Sequence, residues 1–526
     1  GSGSRVTWPD GVSLELDLQR LAGGVELTCR AAGLPVGLAV DGIGVSLRRH
    51  DVPGRILIDG YQSWDWAGVR DARLPGRGWW SAVWGDEHGG GAVPIALHLS
   101  QAPTTALTLA WERAGSLDVL SCAEPQQTDH RTGLPGTLVV PKSGALAGDP
   151  IAMTTLATRA PAFGGPPSGS AGRATTPLRG WMSWNCLGGH VSARDVRDAA
   201  RDLVPAGGVA LLDDGWMPCW GDWTEREGFG ATLPDLAVEL AGTGRSLGVW
   251  LAPFLAAPDS RLVAGRPELL LRDAEGASVV DRRPVLPHLV LDGAAPAVAA
   301  HLRDLGARLA AAGVGVVKLD FLYAGALPGA HAGGVSGTMA LRQGLEPLIS
   351  AFRARAAPPA MVLGCGAPLP PIAGLVDACR SGGDAVINVP NSGAEPPPHP
   401  WFAHGRTVIR AQTRNLAARA WLWGEAVALD VDAVTMGAVG DMPEARDDVL
   451  EAWIELARRS GGPFLVSDRP EGVSPGRLER LHAELERTAR GRSRPRDPLG
   501  MAPAPMVEDV FYAWPEDLPE DWVAPE

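Results

Sequence analysis

The 526 residues are 45% hydrophobic, enough to give two or three domains cores of their own. A formal net charge of −13 speaks against nucleic acid, whose phosphates it would repel, and against anionic membrane surfaces. No stretch of about 18 apolar residues occurs, so no membrane-spanning helix is expected.

Taken in order, the chain opens on Gly1-Ser2-Gly3-Ser4, which reads as a cloning remnant, and no signal-peptide core follows it. Residues 5–160 then read as a β-sandwich. Val12, Leu14, Leu16 and Leu18 alternate with Ser13, Glu15 and Asp17, and Val25, Leu27 and Cys29 alternate with Glu26, Thr28 and Arg30. Short runs at 55–58, 106–111 and 137–140 repeat the theme between Gly, Pro and Asp. Within this region Gly60-Tyr61-Gln62-Ser63-Trp64-Asp65-Trp66 combines aromatics and an amide on an expected loop. Residues 161–177 are rich in Gly, Pro, Ser and Thr and read as a linker.

From residue 178 short apolar runs alternate with helical segments, the rhythm of a parallel sheet or barrel. Strands are expected at 179–185, 209–213, 248–254, 314–321, 361–365, 377–381, 427–434 and 463–467. Helices are expected at 193–203, 236–247, 297–312, 339–356, 410–421 and 449–460. Eight strands in about 290 residues fit a (β/α)8 TIM barrel spanning 178–469. Residues 255–290 and 388–405 read as long irregular insertions, and loops of that length are usually functional or disordered. A short C-terminal segment, 470–526, holds one expected helix at 476–490, a basic stretch at 490–496 and an acidic tail from Glu508.

Cys29, Cys122, Cys186, Cys219, Cys365 and Cys379 show no CxxC and no paired-ligand spacing. They read as free thiols of a reducing, cytoplasmic compartment, and no metal or other cofactor is expected. Nineteen tryptophans stand against three tyrosines. Indole rings stack on the C–H faces of sugars, and they also fill large cores.

The chemistry concentrates at the carboxyl ends of the expected barrel strands, where barrel enzymes carry their active sites. Five polar clusters fall there: Trp181 to Trp184; Asp213-Asp214-Gly215-Trp216; Trp250 to Phe254; Lys318-Leu319-Asp320; and Arg380-Ser381-Gly382-Gly383-Asp384. A lone Asp at a strand end more often caps a helix than catalyses, but five such clusters on separate strands exceed what caps explain. Side chains alternate along a strand, so Lys318 and Asp320 share a face. The lysine is expected to hold that carboxylate ionised. Asp384 follows two glycines that let the backbone aim it, and with less direct compensation it is expected to keep a proton near neutral pH. Two carboxyls in these states suit glycoside hydrolysis. Arg380 has two candidate partners, Asp384 and the substrate. Asp213 and Asp214 reach one ligand only where the strand gives way at Gly215. Asp292, Asp430 and Asp432 also follow apolar runs and are set aside as caps or supports.

Here the residues resemble a known family. GWMSWN at 180–185, DDGW at 213–216, VWLAPF at 249–254, KLDFLYAG at 318–325, GCGAPL at 364–369 and RSGGD at 380–384 look like the catalytic domain of the α-galactosidases of glycoside hydrolase family 36. GYQSW at 60–64 is similar to a motif of that family's N-terminal β-sandwich. The resemblance implies a (β/α)8 barrel and a retaining, exo-acting hydrolysis of terminal α-linked galactose from oligosaccharides. It implies Asp320 as nucleophile and Asp384 as general acid/base. Asp213 and Asp214 would hold the O4 and O6 side of galactose, Trp250 would form an apolar floor, and Lys318 and Arg380 would contact the hydroxyls near C2 and C3. Cys365 would lie by the C2 hydroxyl, Trp184 would line the pocket, and Trp64 would reach in from the N-terminal domain of the same chain or of a neighbour. Homo-oligomerisation stays open, because too few residues follow the barrel for the C-terminal sandwich of larger members. The alternatives are an α-N-acetylgalactosaminidase, an α-galactosyl transferase and an inactive carbohydrate-binding barrel.

Overall fold

The structure, a computed structural model, describes residues 2–21, 24–40, 42–48, 54–85, 93–97, 106–111, 116–122, 138–140, 145–147, 151–154, 178–282, 286–388, 402–404, 406–423, 427–439, 442–486, 494–495 and 522–523. The expected linker 161–177, the Pro-rich 395–400, the end of the helix expected at 476–490 and the tail from Glu508 lie outside them.

An antiparallel sheet forms the first part of the chain. Its long hairpin pairs Ser13–Leu21 with Gly24–Ala32, from Ser13 opposite Ala32 to Leu21 opposite Gly24. Ser2–Thr7 adds to its edge, so three of the four residues read as a cloning remnant belong to a strand. The dense end of this region surrounds Gly76–Gly85, where Trp79, Trp80 and Trp84 are buried with Ile56, Leu57, Ile58, Leu109, Leu117 and Val119. Arg55–Asp59 pairs with Gly76–Gly85, and the register slips between Ile58 and Asp59. That slip ends the strand and releases residues 60–66 toward the second part of the molecule.

The second part is the expected parallel barrel. Its strands are β1 (Arg179–Met182), β2 (Val209–Leu212), β3 (Ser246–Leu251), β4 (Val316–Leu319), β5 (Met361–Gly364), β6 (Ala378–Arg380), β7 (Ala428–Asp430) and β8 (Phe464–Val466). Each strand pairs in parallel with the next from β1 to β7, and β8 returns to β1. Between β7 and β8 the ring closes only through isolated bridges, Leu429 with Gly461 and Val434 with Val466. The interior is filled by Met182, Val209, Leu211, Val316, Met361, Leu363, Ala378, Ala428 and Leu465. Each is an even number of residues before a polar or aromatic residue at the mouth, such as Asp213, Lys318 and Asp320, Cys365, Arg380 or Asp430. The period of two therefore carries the inward face from apolar filling to chemistry.

Helices α1 (Ala193–Asp202), α2 (Leu233–Gly242), α3 (Pro296–Ala311), α4 (Gly337–Arg353), α5 (Arg406–Leu422), α6 (Asp447–Ser460) and α7 (Pro475–Glu486) follow, the first six outside the barrel. Ser192 and Asp195 form a reciprocal capping box on α1, and Thr232 and Ser336 cap α2 and α4. α3 and α4 pack closely because Gly306 lacks a side chain; a Cβ there would stand 2.2 Å from the Leu348 carbonyl oxygen.

The strand expected at 179–185 stops at Met182, and Trp184 instead opens a short helix, Trp184–Leu187. The helix read at 236–247 starts earlier, where Thr232 caps it and Pro234 fits its first turn, and stops at Gly242. The insertion at 255–290 is not wholly irregular: Leu255–Ala256, Val280–Asp281 and His288–Val290 form a small antiparallel sheet beside the mouth. Among the described residues no helix is long and apolar enough to cross a membrane.

Candidate active site

The carboxyl end of β4 anchors the site. Val316, Lys318 and Asp320 share the inward face, and all three are buried. The Trp250 indole Nε1 on β3 donates to Asp320 Oδ2 at 3.0 Å. The Phe321 amide donates to Asp320 Oδ1 at 2.7 Å. Phe321 has φ +52°, a left-handed conformation that costs a non-glycine residue about 1–3 kcal/mol and ends the strand abruptly. The turn folds its amide back on Asp320.

Lys318 is 5% exposed. Its Nζ lies 2.8 Å from Asp213 Oδ2 and 4.0 Å from Asp320 Oδ2. The expected lysine–Asp320 pair is thus a triad whose direct hydrogen bond goes across the barrel to β2. Burial opposes the ammonium charge, but the Asp213 and Asp320 carboxylates outweigh it and hold Lys318 above the ordinary lysine range.

Asp213 is set by the Ser183 hydroxyl, which accepts from its amide at 2.9 Å, and the Asp214 amide donates to Asp213 Oδ1 at 3.0 Å. Gly215, at φ +106°, turns the chain there, as the adjacent carboxylates required. A Cβ at Gly215 would lie 2.5 Å from Gly189. Asp214 accepts from the Trp220 indole at 3.1 Å. Burial, with the neighbouring Asp213 and Asp320 charges, pushes the Asp214 carboxyl up to about 6.

An aromatic wall flanks these acids. Trp220 lies 5.2 Å from Trp250 and 4.9 Å from Phe321 between ring centroids, and it stacks on His288 at 4.1 Å. Trp64 continues the wall edge-on to Phe321 at 5.1 Å and to Tyr323 at 5.8 Å. Its indole donates to Cys365 Sγ at 3.2 Å. Burial first, then the Asp320 charge, pushes the Cys365 thiol well above its ordinary range. Trp184 is half-buried against the apolar filling of the barrel.

Trp64 comes from the same chain. Arg419 on α5 is fully buried and fastens the loop that carries it. Its guanidinium donates to the carbonyls of Gln62 at 3.1 Å, of Asp65 at 2.9 Å and of Ser63, to the Ser381 carbonyl at 2.6 Å, and to Asp59 Oδ1 at 3.0 Å. Trp423 donates to the other Asp59 oxygen at 2.6 Å. Ser63 and Ala367 exchange two hydrogen bonds, which join the loop to the end of β5.

Arg380 meets Asp384, one of its two candidate partners. Its guanidinium is 1% exposed and meets three carboxylates: Asp384 at 3.2 Å, Asp430 at 3.4 Å and Asp432 at 2.5 Å. Asp384, on the strand Asp384–Val386, keeps about 31% of its side chain exposed at the mouth. Burial pushes its carboxyl up, further helped by the Asp320 and Asp213 charges and opposed by Arg380 and Lys318. Arg380 thus compensates Asp384 directly, as one of its two candidate partnerships has it, while sharing its charge with two further carboxylates. Asp430 and Asp432, set aside as supports in the sequence, share that arginine. Asp292 is bound instead to His331, at 2.8 Å, away from this cluster.

The site thus gathers Asp213, Asp214, Trp250, Lys318, Asp320, Cys365, Arg380, Asp384 and Trp64 around one mouth. It also enlists Asp430 and Asp432 as supports of Arg380, Ser183 of the first cluster, and Trp220 and Arg419, which no sequence motif marks.

No protein-family model matches the sequence. Solved structures do. An α-galactosidase from Thermus thermophilus, in complex with p-nitrophenyl α-D-galactopyranoside, aligns over 93% of this chain and 95% of its own, at 23% identity and a TM-score of 0.66. The GH36 α-galactosidase AgaA from Geobacillus stearothermophilus aligns over 92% of this chain and 69% of its own, at 13% identity and a TM-score of 0.60. An α-galactosidase from Lactobacillus brevis aligns over 91% of this chain and 65% of its own, at 12% identity and a TM-score of 0.61. The fold of this chain is theirs: an N-terminal antiparallel sandwich followed by a (β/α)8 barrel.

Proposed function

We propose that this chain is a retaining, exo-acting α-galactosidase that removes terminal α-linked galactose from oligosaccharides. The observation that carries the reading is the pair of carboxyls at the barrel mouth in unlike surroundings. Asp320 is ringed by an indole N–H, an amide and the Lys318 ammonium, donors that suit an ionised nucleophile. Asp384 is pushed toward its protonated form, as a general acid needs. The shared fold with solved α-galactosidases, two of which are in complex with stachyose and with raffinose, supports the substrate class.

In the proposed reaction Asp384 gives its proton to the glycosidic oxygen as Asp320 attacks the anomeric carbon. The C–O bond to the leaving sugar breaks, and a galactosyl ester forms on Asp320. Water then loses a proton to Asp384 and attacks the same carbon, which releases galactose with its configuration retained. Retention calls for carboxyls about 5–5.5 Å apart. Asp213 and Asp214 accept from two sugar hydroxyls, and Trp250 and Trp220 offer apolar faces.

The test is hydrolysis of an aryl α-galactoside against its N-acetylgalactosaminide and the corresponding glucoside, with the first-formed anomer followed by proton NMR. Preferential release of α-galactose supports the proposal. A β product, preference for another glycoside, or no turnover overturns it.

A further inference from the structure

Asp384 and Asp432 share one guanidinium, yet their surroundings are unequal. Asp432 accepts from three donors: Arg380 Nη2 at 2.5 Å, the Ala385 amide at 2.8 Å and the Ala433 amide at 2.7 Å. Among the described residues Asp384 accepts from Arg380 Nη1 alone, at 3.2 Å. Asp432 adopts φ +83°, a conformation a non-glycine residue holds only when its surroundings impose it. The turn lets one carboxylate reach both the arginine and the backbone amide that immediately follows Asp384. Asp430 supports the arrangement. Its Oδ1 accepts from the Asp432 amide at 2.9 Å, and its Oδ2 faces Arg380 Nε.

We infer that Asp432 is the positioning residue of the acid/base pair: it takes up the charge of Arg380, pins the backbone beside Asp384, and so leaves the shared proton on Asp384. Two carboxylates facing one cation ionise in sequence; Asp384 keeps about 31% of its side chain exposed and Asp432 is buried, so it is the donors on Asp432, set against its deeper burial, that favour its ionising first. Asp384 remains neutral, can aim an O–H at a substrate oxygen, and is a base once the proton is given. The catalytic use of that proton rests on the α-galactosidase reading; its location does not. Among the described residues the charged and titratable groups around Asp384 and its arginine are Arg380 on β6, Lys318 on β4 and Asp320 after it, Asp213 after β2, Cys365 after β5, Asp430 on β7 and Asp432 after it. Burial pushes both carboxyls upward, Asp432 to about 7, and the Arg380 charge with the Ala385 and Ala433 amides is what opposes that push at Asp432.

The full chain, labelled with carboxyl-13C aspartate, is titrated by NMR. Asp384 is assigned as the resonance missing in Asp384→Asn. Asp432→Asn keeps the shape and removes the charge, so Arg380 turns to Asp384. The Asp384 titration is expected to fall by about one unit or more. In kinetics the basic limb of kcat/KM is expected to move to lower pH by the same amount. Hydrolysis of methyl α-galactoside at neutral pH should drop about tenfold or more, whereas dinitrophenyl α-galactoside, whose leaving group needs no proton, should be hydrolysed at close to the wild-type rate. A purely structural role for Asp432 would slow both substrates alike and leave the pH limb in place. If Asp432→Asn does not fold, Asp430→Asn makes the same charge change without touching the Ala385 amide, and a smaller shift in the same direction is expected. An Asp384 titration that stays put in the folded variant overturns the inference, whatever the enzyme hydrolyses. A wild type that cleaves no α-galactoside overturns the functional reading, while the NMR titration still decides where the proton resides.

Discussion

Lys318 donates its hydrogen bond to Asp213 across the barrel, at 2.8 Å, and stands 4.0 Å from Asp320 two residues along its own strand. One ammonium therefore serves both the expected sugar-binding side and the expected nucleophile. Removing one partner of a buried ion pair leaves uncompensated charge and costs about 3–5 kcal/mol. Lys318→Met is expected to destabilise the fold by that order in urea titrations and to abolish activity. A stability within about 0.5 kcal/mol of wild type would show that the two carboxylates do not depend on the lysine.

Asp320→Ala removes the atom that bonds to the sugar. The variant is expected to lose turnover by on the order of 10^4-fold or more and to keep its circular dichroism spectrum. It also frees the Trp250 indole and the Phe321 amide, so a modest loss of stability is expected with it. Near-normal activity sinks the nucleophile assignment.

The raised Asp214 carboxyl has a pH consequence. Its folded value of about 6 exceeds the ordinary 3.8, so between these pH values the folded state binds more proton than the unfolded chain. The stabilisation is complete below about pH 4 and is lost as pH rises through about 6. Asp214→Asn is expected to be the more stable protein at pH 7, by about 2–3 kcal/mol, with the difference closing toward pH 4. It is expected to lose substrate binding at the same time. Urea midpoints across pH 4–8 measure this, and a difference that does not vary with pH contradicts the cause given for the shift.

Arg419 makes five contacts to the 59–65 segment and the Ser381 carbonyl from a fully buried position. Arg419→Met is expected to cost about 3–5 kcal/mol, because Asp59 keeps a buried charge. Since Trp64 rides on the same loop, KM is expected to rise as well. Asp59→Asn made together with Arg419→Met should recover part of the stability and little of the KM. Full recovery of both would mean that the loop is held by other contacts.

The barrel was legible because its strands are short apolar runs whose alternation continues into the mouth. Val316, Lys318 and Asp320 face inward for the same reason that Met361, Leu363 and Cys365 do. What escaped notice lies across strands. Asp430 and Asp432 have no cationic residue beside them in sequence, because their cation, Arg380, stands on the adjacent strand, opposite Asp430 in register. Two carboxylates two apart at a strand end were the signal available. Asp59 and Arg419 are 360 residues apart, and no local pattern connects them. The sheet beside the mouth was missed because its strands are two or three residues long, too short to show a period. Trp220 is one of nineteen tryptophans, and among the described residues many of the others are buried in the core, so the count alone does not single it out.

The clasp between Arg419 and the 62–65 carbonyls also dictates when the pocket exists during synthesis. The loop bearing Trp64 leaves the ribosome early and waits for α5, translated hundreds of residues later, before it has anything to grip. A nascent chain that has already made β4 and Asp320 still lacks one wall. The cleft is therefore walled on every side only after α5 has been made.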